Sequence, residues 1–152
     1  MAGAALEGRS PRHDRVYRYR HTVTFGETNL LGNVYFSHYL SWQGRCREIF
    51  IKEKAPGVFD ELTRDLRLVT LRCSCEYFAE LFAFDEIAIG MRLHGITQNR
   101  IALGFEYWRL GDSGEELAAR GDQEIASMRQ SASGLTPTPL PDALREALRP
   151  YA

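Results

Sequence analysis

The segment Thr24–Trp42, TFGETNLLGNVYFSHYLSW, holds the side chains best suited to chemistry. Asn29 carries a neutral amide with two donors and one acceptor oxygen. It can donate to a developing oxyanion or hold a water, and it is equally suited to an Asx-type turn ahead of a helix. Glu27 is the nearest carboxylate, and in an extended segment it shares a face with Asn29. It is the alternative general base; otherwise it pairs with an arginine or faces solvent. His38 follows closely and can donate or accept near a carbonyl, or serve as a surface or capping residue. Arg47 stands in the row Phe36–Leu40–Gln43–Arg47 of the next element. An arginine beside apolar positions needs a wet cleft or a partner, for which Glu27, Glu48 or a second subunit qualify. Thr70 is either a ladder threonine or a hydroxyl that reaches the same space. This set polarises and positions. It contains no Ser-His-Asp arrangement, glycine-rich phosphate loop or metal cluster, so no metal and no cofactor are expected.

These groups need elements to hold them. Val16–Phe25 alternates and is rich in β-branched and aromatic residues, which predicts a strand. From Tyr35 to about Lys52 the period is helical, with Tyr35, Tyr39, Trp42, Cys46, Ile49 and Phe50 on one row. The second row beside it makes the apolar surface wide, so the helix is expected to be buried over much of its circumference, with Tyr35, Phe36, Tyr39 and Trp42 mainly in the core. Some of these aromatics can also line a channel for an apolar chain. Ala55–Arg67 reads as a crossover. Strands are then predicted at Leu66–Tyr77, Ile87–Leu93, Ile101–Leu110 and Leu117–Met128. Thr97-Gln98-Asn99 and Gly111–Glu115 mark the turns. Ser131–Pro141 reads as a loop, and Asp142 can cap a short helix over Ala143–Leu148. Strand alternation puts Thr70 opposite Leu71 and Cys73, and groups Cys73 and Cys75 as small buried residues. The expected architecture is α+β. One five-stranded, mostly antiparallel sheet wraps a long central helix, with residues 1–15 as a flexible tail and 16–150 as one domain.

The chain has 152 residues, 44% hydrophobic, enough for one core without disulfides. Its 19 basic and 20 acidic residues balance to −1, which excludes a general nucleic-acid or membrane-surface binder. No apolar run approaches the roughly 20 residues of a membrane span. Three cysteines fit a reducing, cytoplasmic setting.

Several motifs together resemble a known family. A strand ends in Phe25-Gly-Glu27. Asn29-x-x-Gly32-x-Val34-Tyr35, His38-Tyr39-x-x-Trp42 and Cys46-Arg47 follow. Glu76–Ile89, with Ala79 where proline is common, Gly121 in the last long strand, and PLPDALREAL near the C-terminus complete the set. The string resembles the hot-dog-fold 4-hydroxybenzoyl-CoA thioesterase-like family across Val16–Leu148. That family usually has a catalytic aspartate where this chain has Asn29. The helix position where relatives carry an acid reads Gln43-Gly44 here. With no acid at either place, the chain is most similar to thioesterases associated with enediyne polyketide synthases.

The resemblance implies hydrolysis of an acyl-pantetheine thioester, releasing a polyene or β-keto chain from an acyl carrier protein. It implies Asn29 and Arg47 as the catalytic pair, Tyr35, Phe36, His38, Tyr39 and Thr70 against substrate, and oxyanion donors in the Tyr35–Phe36 peptide region at the helix start. Gly32 either lets the backbone approach a ligand or only turns the chain. A homodimer or tetramer with sites between subunits is implied too. The alternatives are an acyl-CoA thioesterase of the same fold and a non-catalytic protein that binds acyl chains or the synthase.

Overall fold

The computed structural model describes residues 15–152. Most of the expected tail, residues 1–14, lies outside the described residues. In chain order the elements are β1 (Tyr17–Thr22), α1 (Ser37–Lys54), α2 (Val58–Leu62), β2 (Leu66–Tyr77), β3 (Glu86–Thr97), β4 (Arg100–Gly111), β5 (Gly114–Ser131), β6 (Gly134–Pro137) and α3 (Asp142–Leu148). The sheet order is β1-β3-β4-β5-β2, and every pairing is antiparallel. Gln98 and Asn99 close the β3–β4 hairpin, and Asp112 and Ser113 the β4–β5 hairpin, as expected. The segment read as a loop after β5 contains β6, which pairs with Met128–Ser131, beyond the last β4 partner, Ala126.

The sheet curls around α1 because both carry apolar faces. Trp42, Cys46 and Phe50 of α1 are buried with Ile87, Ile89 and Met91 of β3, Leu103, Phe105 and Tyr107 of β4, and Ile125 of β5. Three rings meet at the centre: Tyr39 lies 5.0 Å from Trp42 and 5.4 Å from Tyr107, tilted in both cases. The Tyr107 hydroxyl donates to the Tyr39 carbonyl at 2.7 Å, so the one polar atom of that ring has a partner.

β2 is an edge strand, and that changes how its residues sit. A bulge falls between Thr70 and Arg72. Thr70 is opposite Ile125 and Cys73 is opposite Gln123, two places away on β5. Residues opposite one another share a face, so Thr70, Cys73, Cys75 and Tyr77 all point to the helix side. The expected placement of Thr70 opposite Cys73 is therefore corrected by one bulged residue, Leu71. The cysteines are also not buried: Cys73 is exposed and Cys75 half-buried, because no further strand covers this edge. On β5, Gly121 packs directly against Gln43 of α1. A Cβ there would lie 2.2 Å from Gln43 Nε2 and 2.5 Å from the Ser74 carbonyl oxygen.

Candidate active site

The loop before α1 is built around Glu27. This residue is 7% exposed and closes a short 3-10 turn, Phe25–Glu27. Its Oε1 accepts from the Thr24 N–H at 2.9 Å. His21 Nε2 from β1 donates to both oxygens at 2.8 and 2.9 Å, and Trp42 Nε1 from α1 donates to Oε2 at 2.6 Å. Arg45 stands 3.9 Å away. Burial raises the carboxyl's pKa, but the bonds from Thr24, His21 and Trp42 outweigh it and hold Glu27 below its ordinary range. Glu27 thus neither faces solvent nor depends on a close arginine; it ties β1, the loop and α1 together. The Thr-x-x-Glu spacing of a capping box could have signalled the Thr24 bond, though not the bonds from His21 and Trp42.

The sign of its effect on stability follows. A carboxyl whose folded pKa is depressed adds stability above its unfolded value, near 4.5, and loses it as pH falls through the lower folded value. Urea midpoints from pH 7 to pH 3 should therefore fall steeply for the native chain and less steeply for Glu27→Gln. Glu27→Ala, which strips buried donors of their acceptor, should cost about 3–5 kcal/mol at pH 7.

Asn29 follows in a tight turn. Its Oδ1 accepts from the Leu31 N–H at 2.9 Å, while its own N–H donates to the Asn33 carbonyl at 2.8 Å. The acceptor is occupied by the Asx turn; the Nδ2 group has no acceptor among the described residues. Turn role and donor role therefore coexist in one side chain. Gly32 has φ 89, the left-handed region that favours glycine, and an added Cβ would meet nothing, so the turn accounts for it.

Helix α1 begins at Ser37, two residues later than its pattern predicts. Tyr35 and Phe36 are 48% and 55% exposed and are not core residues. The Tyr35 N–H donates to the Glu27 carbonyl, and His38 and Tyr39 donate to the Tyr35 and Phe36 carbonyls. The N–H groups of Phe36 and Ser37 have no acceptor among the described residues, so they, and not the Tyr35 N–H, are the candidate oxyanion donors. His38 is half-buried on the first turn. Tyr39 is 3% exposed, in the aromatic core.

Further down α1 a second polar group forms against β2, which runs antiparallel to the helix. Phe36 meets Tyr77, whose hydroxyl donates to its carbonyl at 2.9 Å. Gln43 Nε2 donates to the Ser74 carbonyl at 2.9 Å. Arg47 Nη1 donates to Thr70 Oγ1 at 3.2 Å and to Gln123 Oε1 at 3.1 Å. Arg47 makes no ion pair with any described carboxylate; the partners proposed for it, Glu27 and Glu48, do not bridge to it. Burial pulls the guanidinium pKa down, with the Glu48 charge opposing. The side chain keeps its charge and retains donors beyond its two neutral partners. Beside it the core side chains Phe50, Leu68, Met91, Leu103 and Ile125 leave only a gap of about 10 Å³, no larger than a water.

The structure thus brings together Asn29, Tyr35, Phe36 and His38 at the helix start, and Arg47 with Thr70 and Gln123 nearly three turns, roughly 15 Å, beyond. Gln123 was missed from sequence because alternation marked only the wet residues of β5. A groove of about 210 Å³ on the outer sheet face, where Arg18 bridges Glu115 at 2.8 Å, lies apart from both groups. Among the described residues no cluster of metal-ligating side chains occurs, and no helix is long and apolar enough to cross a membrane.

Residues 23–148 match a family model described as the thioesterase-like superfamily. The structure superposes on the dynemicin thioesterase, whose crystal structures reveal induced-fit and allosteric effects upon polyene binding. The TM-score is 0.88 at 48% identity, over 90% of this chain and 97% of that one. A 1,4-dihydroxy-2-naphthoyl-CoA thioesterase from Synechocystis shares the fold at TM-score 0.75 and 18% identity, over 88% and 96%. A 1,4-dihydroxy-2-naphthoyl-CoA hydrolase from Prochlorococcus marinus (strain NATL2A) is 27% identical over 74% of this chain and 76% of its own.

Proposed function

The chain belongs to the thioesterase-like superfamily and is a thioester hydrolase, and from that premise we propose that it releases a polyene or β-keto polyketide chain from an acyl carrier protein. The observation that carries this reading is Arg47. It is a half-buried guanidinium on neutral partners, with donors to spare, between the central helix and an open strand edge. The relative at 48% identity has crystal structures that address polyene binding.

In this reading the thioester carbonyl lies at the start of α1. The Phe36 and Ser37 N–H groups and the positive end of the helix dipole face the developing oxyanion, with the Asn29 Nδ2 group beside them. Arg47 stabilises charge on the carbonyl or on a β-keto oxygen. Water attacks without a protein carboxylate acting as base, because Glu27 is held by its own donors.

The roughly 15 Å between Ser37 and Arg47 is too far for one thioester group, so we assign one site to two subunits. The open edge of β2, with Leu71 exposed at the Arg47 end and Tyr77 exposed beside Phe36, is the surface proposed to meet a second copy. Each site would then take its helix start from one subunit and Arg47 from the other. A dimer, or a tetramer of two such dimers, in the cytoplasm satisfies this geometry.

The test is thiol release from one acyl group presented on a carrier protein, on CoA and on N-acetylcysteamine. The carrier-bound thioester should give the highest kcat/KM. Equal rates on CoA would instead make the protein an acyl-CoA thioesterase, and no release from any of the three would overturn the hydrolytic reading.

A further inference from the structure

Helix α1 starts without a side-chain cap. Phe36 stands at the capping position, and the first turn holds no acidic residue. Such a start keeps its amides open to a ligand, but it frays unless something else holds it. Here the hold comes from β2. The Tyr77 hydroxyl donates to the Phe36 carbonyl at 2.9 Å, across 41 residues of sequence. The Tyr77 ring stands edge-on to Tyr39, with centroids 4.9 Å apart at 87°, so packing aims the hydroxyl. The Cys75 sulfur beside it is only a weak competing acceptor.

The bonded carbonyl belongs to the peptide of a candidate oxyanion donor. The Phe36 C=O and the Ser37 N–H are the two ends of one trans peptide plane. Fixing the carbonyl therefore fixes where the Ser37 N–H points. A hydrogen bond accepted at the oxygen also polarises the N–H at the other end and strengthens it as a donor. The other candidate donor, the Phe36 N–H, is held locally: the carbonyl of its peptide, Tyr35 O, accepts from the His38 N–H at 3.0 Å within the first turn. We infer that Tyr77 is a positioning residue for hydrolysis, aiming and polarising the Ser37 N–H from the carbonyl side while leaving that N–H open to the developing oxyanion. The inference rests on the hydrolytic reading above. Tyr77 acts through the peptide and transfers no proton.

Tyr77→Phe tests this, because it removes only the hydroxyl and keeps the ring against Tyr39. The side chain is 45% exposed, so the fold is retained. In this variant kcat should fall about tenfold, less than for loss of an oxyanion donor itself, with KM within about threefold of native. Two non-hydrolysable N-acetylcysteamine analogues separate aiming from packing. A trifluoromethyl ketone hydrates to a tetrahedral centre like that of the intermediate, and its affinity should fall about tenfold, in step with kcat. A thioether without a carbonyl should bind within about threefold of its native affinity. The inference is overturned if Tyr77→Phe keeps kcat within about threefold, or if the affinities for the two analogues shift together. A native chain that hydrolyses beside an equally active Tyr77→Phe sinks only this inference; a native chain that releases no thiol sinks the reading beneath it.

Discussion

Arg47→Ala is expected to lower kcat/KM for thioester hydrolysis about 100- to 1,000-fold, the range for removing one donor to a developing oxyanion. The same substitution should leave stability within about 1 kcal/mol of the native chain. Arg47 is a half-buried charge with no ion pair to a described carboxylate, so its partial desolvation offsets much of what its two hydrogen bonds contribute. Activity and stability should therefore separate, and stopped thiol assays beside urea titrations read both. Arg47→Lys should recover little, because an ammonium lacks the planar fork that serves two acceptors on the strands and a carbonyl together. Were Arg47 a structural residue, stability would fall with activity.

Asn29→Ala should cost a similar factor, about 100-fold in kcat/KM. It also removes the turn bond to the Leu31 N–H, a smaller loss of about 1 kcal/mol in stability. The two-subunit site adds a sharper check. If subunits of Asn29→Ala and Arg47→Ala assemble at random, half the dimers are mixed, and each mixed dimer has one intact site. Mixing two inactive proteins should then restore about a quarter of native activity. No restoration would place both residues in one subunit's site.

Much of the scaffold was legible in the sequence because its signals are local. Alternation located β3, β4 and β5, and the Gln98-Asn99 and Asp112-Ser113 turns set their pairing. Four features were not legible, each for a physical reason. The bulge at Leu71 carries no residue signal, yet it turns Thr70 and Cys73 to one face. The exposure of Tyr35, Phe36 and Cys73 follows from β2 being an edge, which depends on strand order that alternation does not encode. β6 is four residues long and ends in a proline. The partners of Glu27 come from β1 and α1, so its anchoring appears only when three elements meet. For the site, residue types identified Asn29 and Arg47 as groups of interest. The donor left free on Asn29 and the neutral partners of Arg47 are properties of the fold.

The central claim is hydrolysis by positioning and polarising, with no protein carboxylate as base. It is tested most directly by thiol release from a carrier-bound thioester at pH 7, with the native chain, Arg47→Ala and Glu27→Gln side by side. The account predicts that folded Glu27→Gln keeps kcat within about tenfold of native, since its amide can still accept from His21 or Trp42, while Arg47→Ala loses about 100-fold or more. Glu27→Gln that is fully folded yet inactive, beside an active Arg47→Ala, would contradict it.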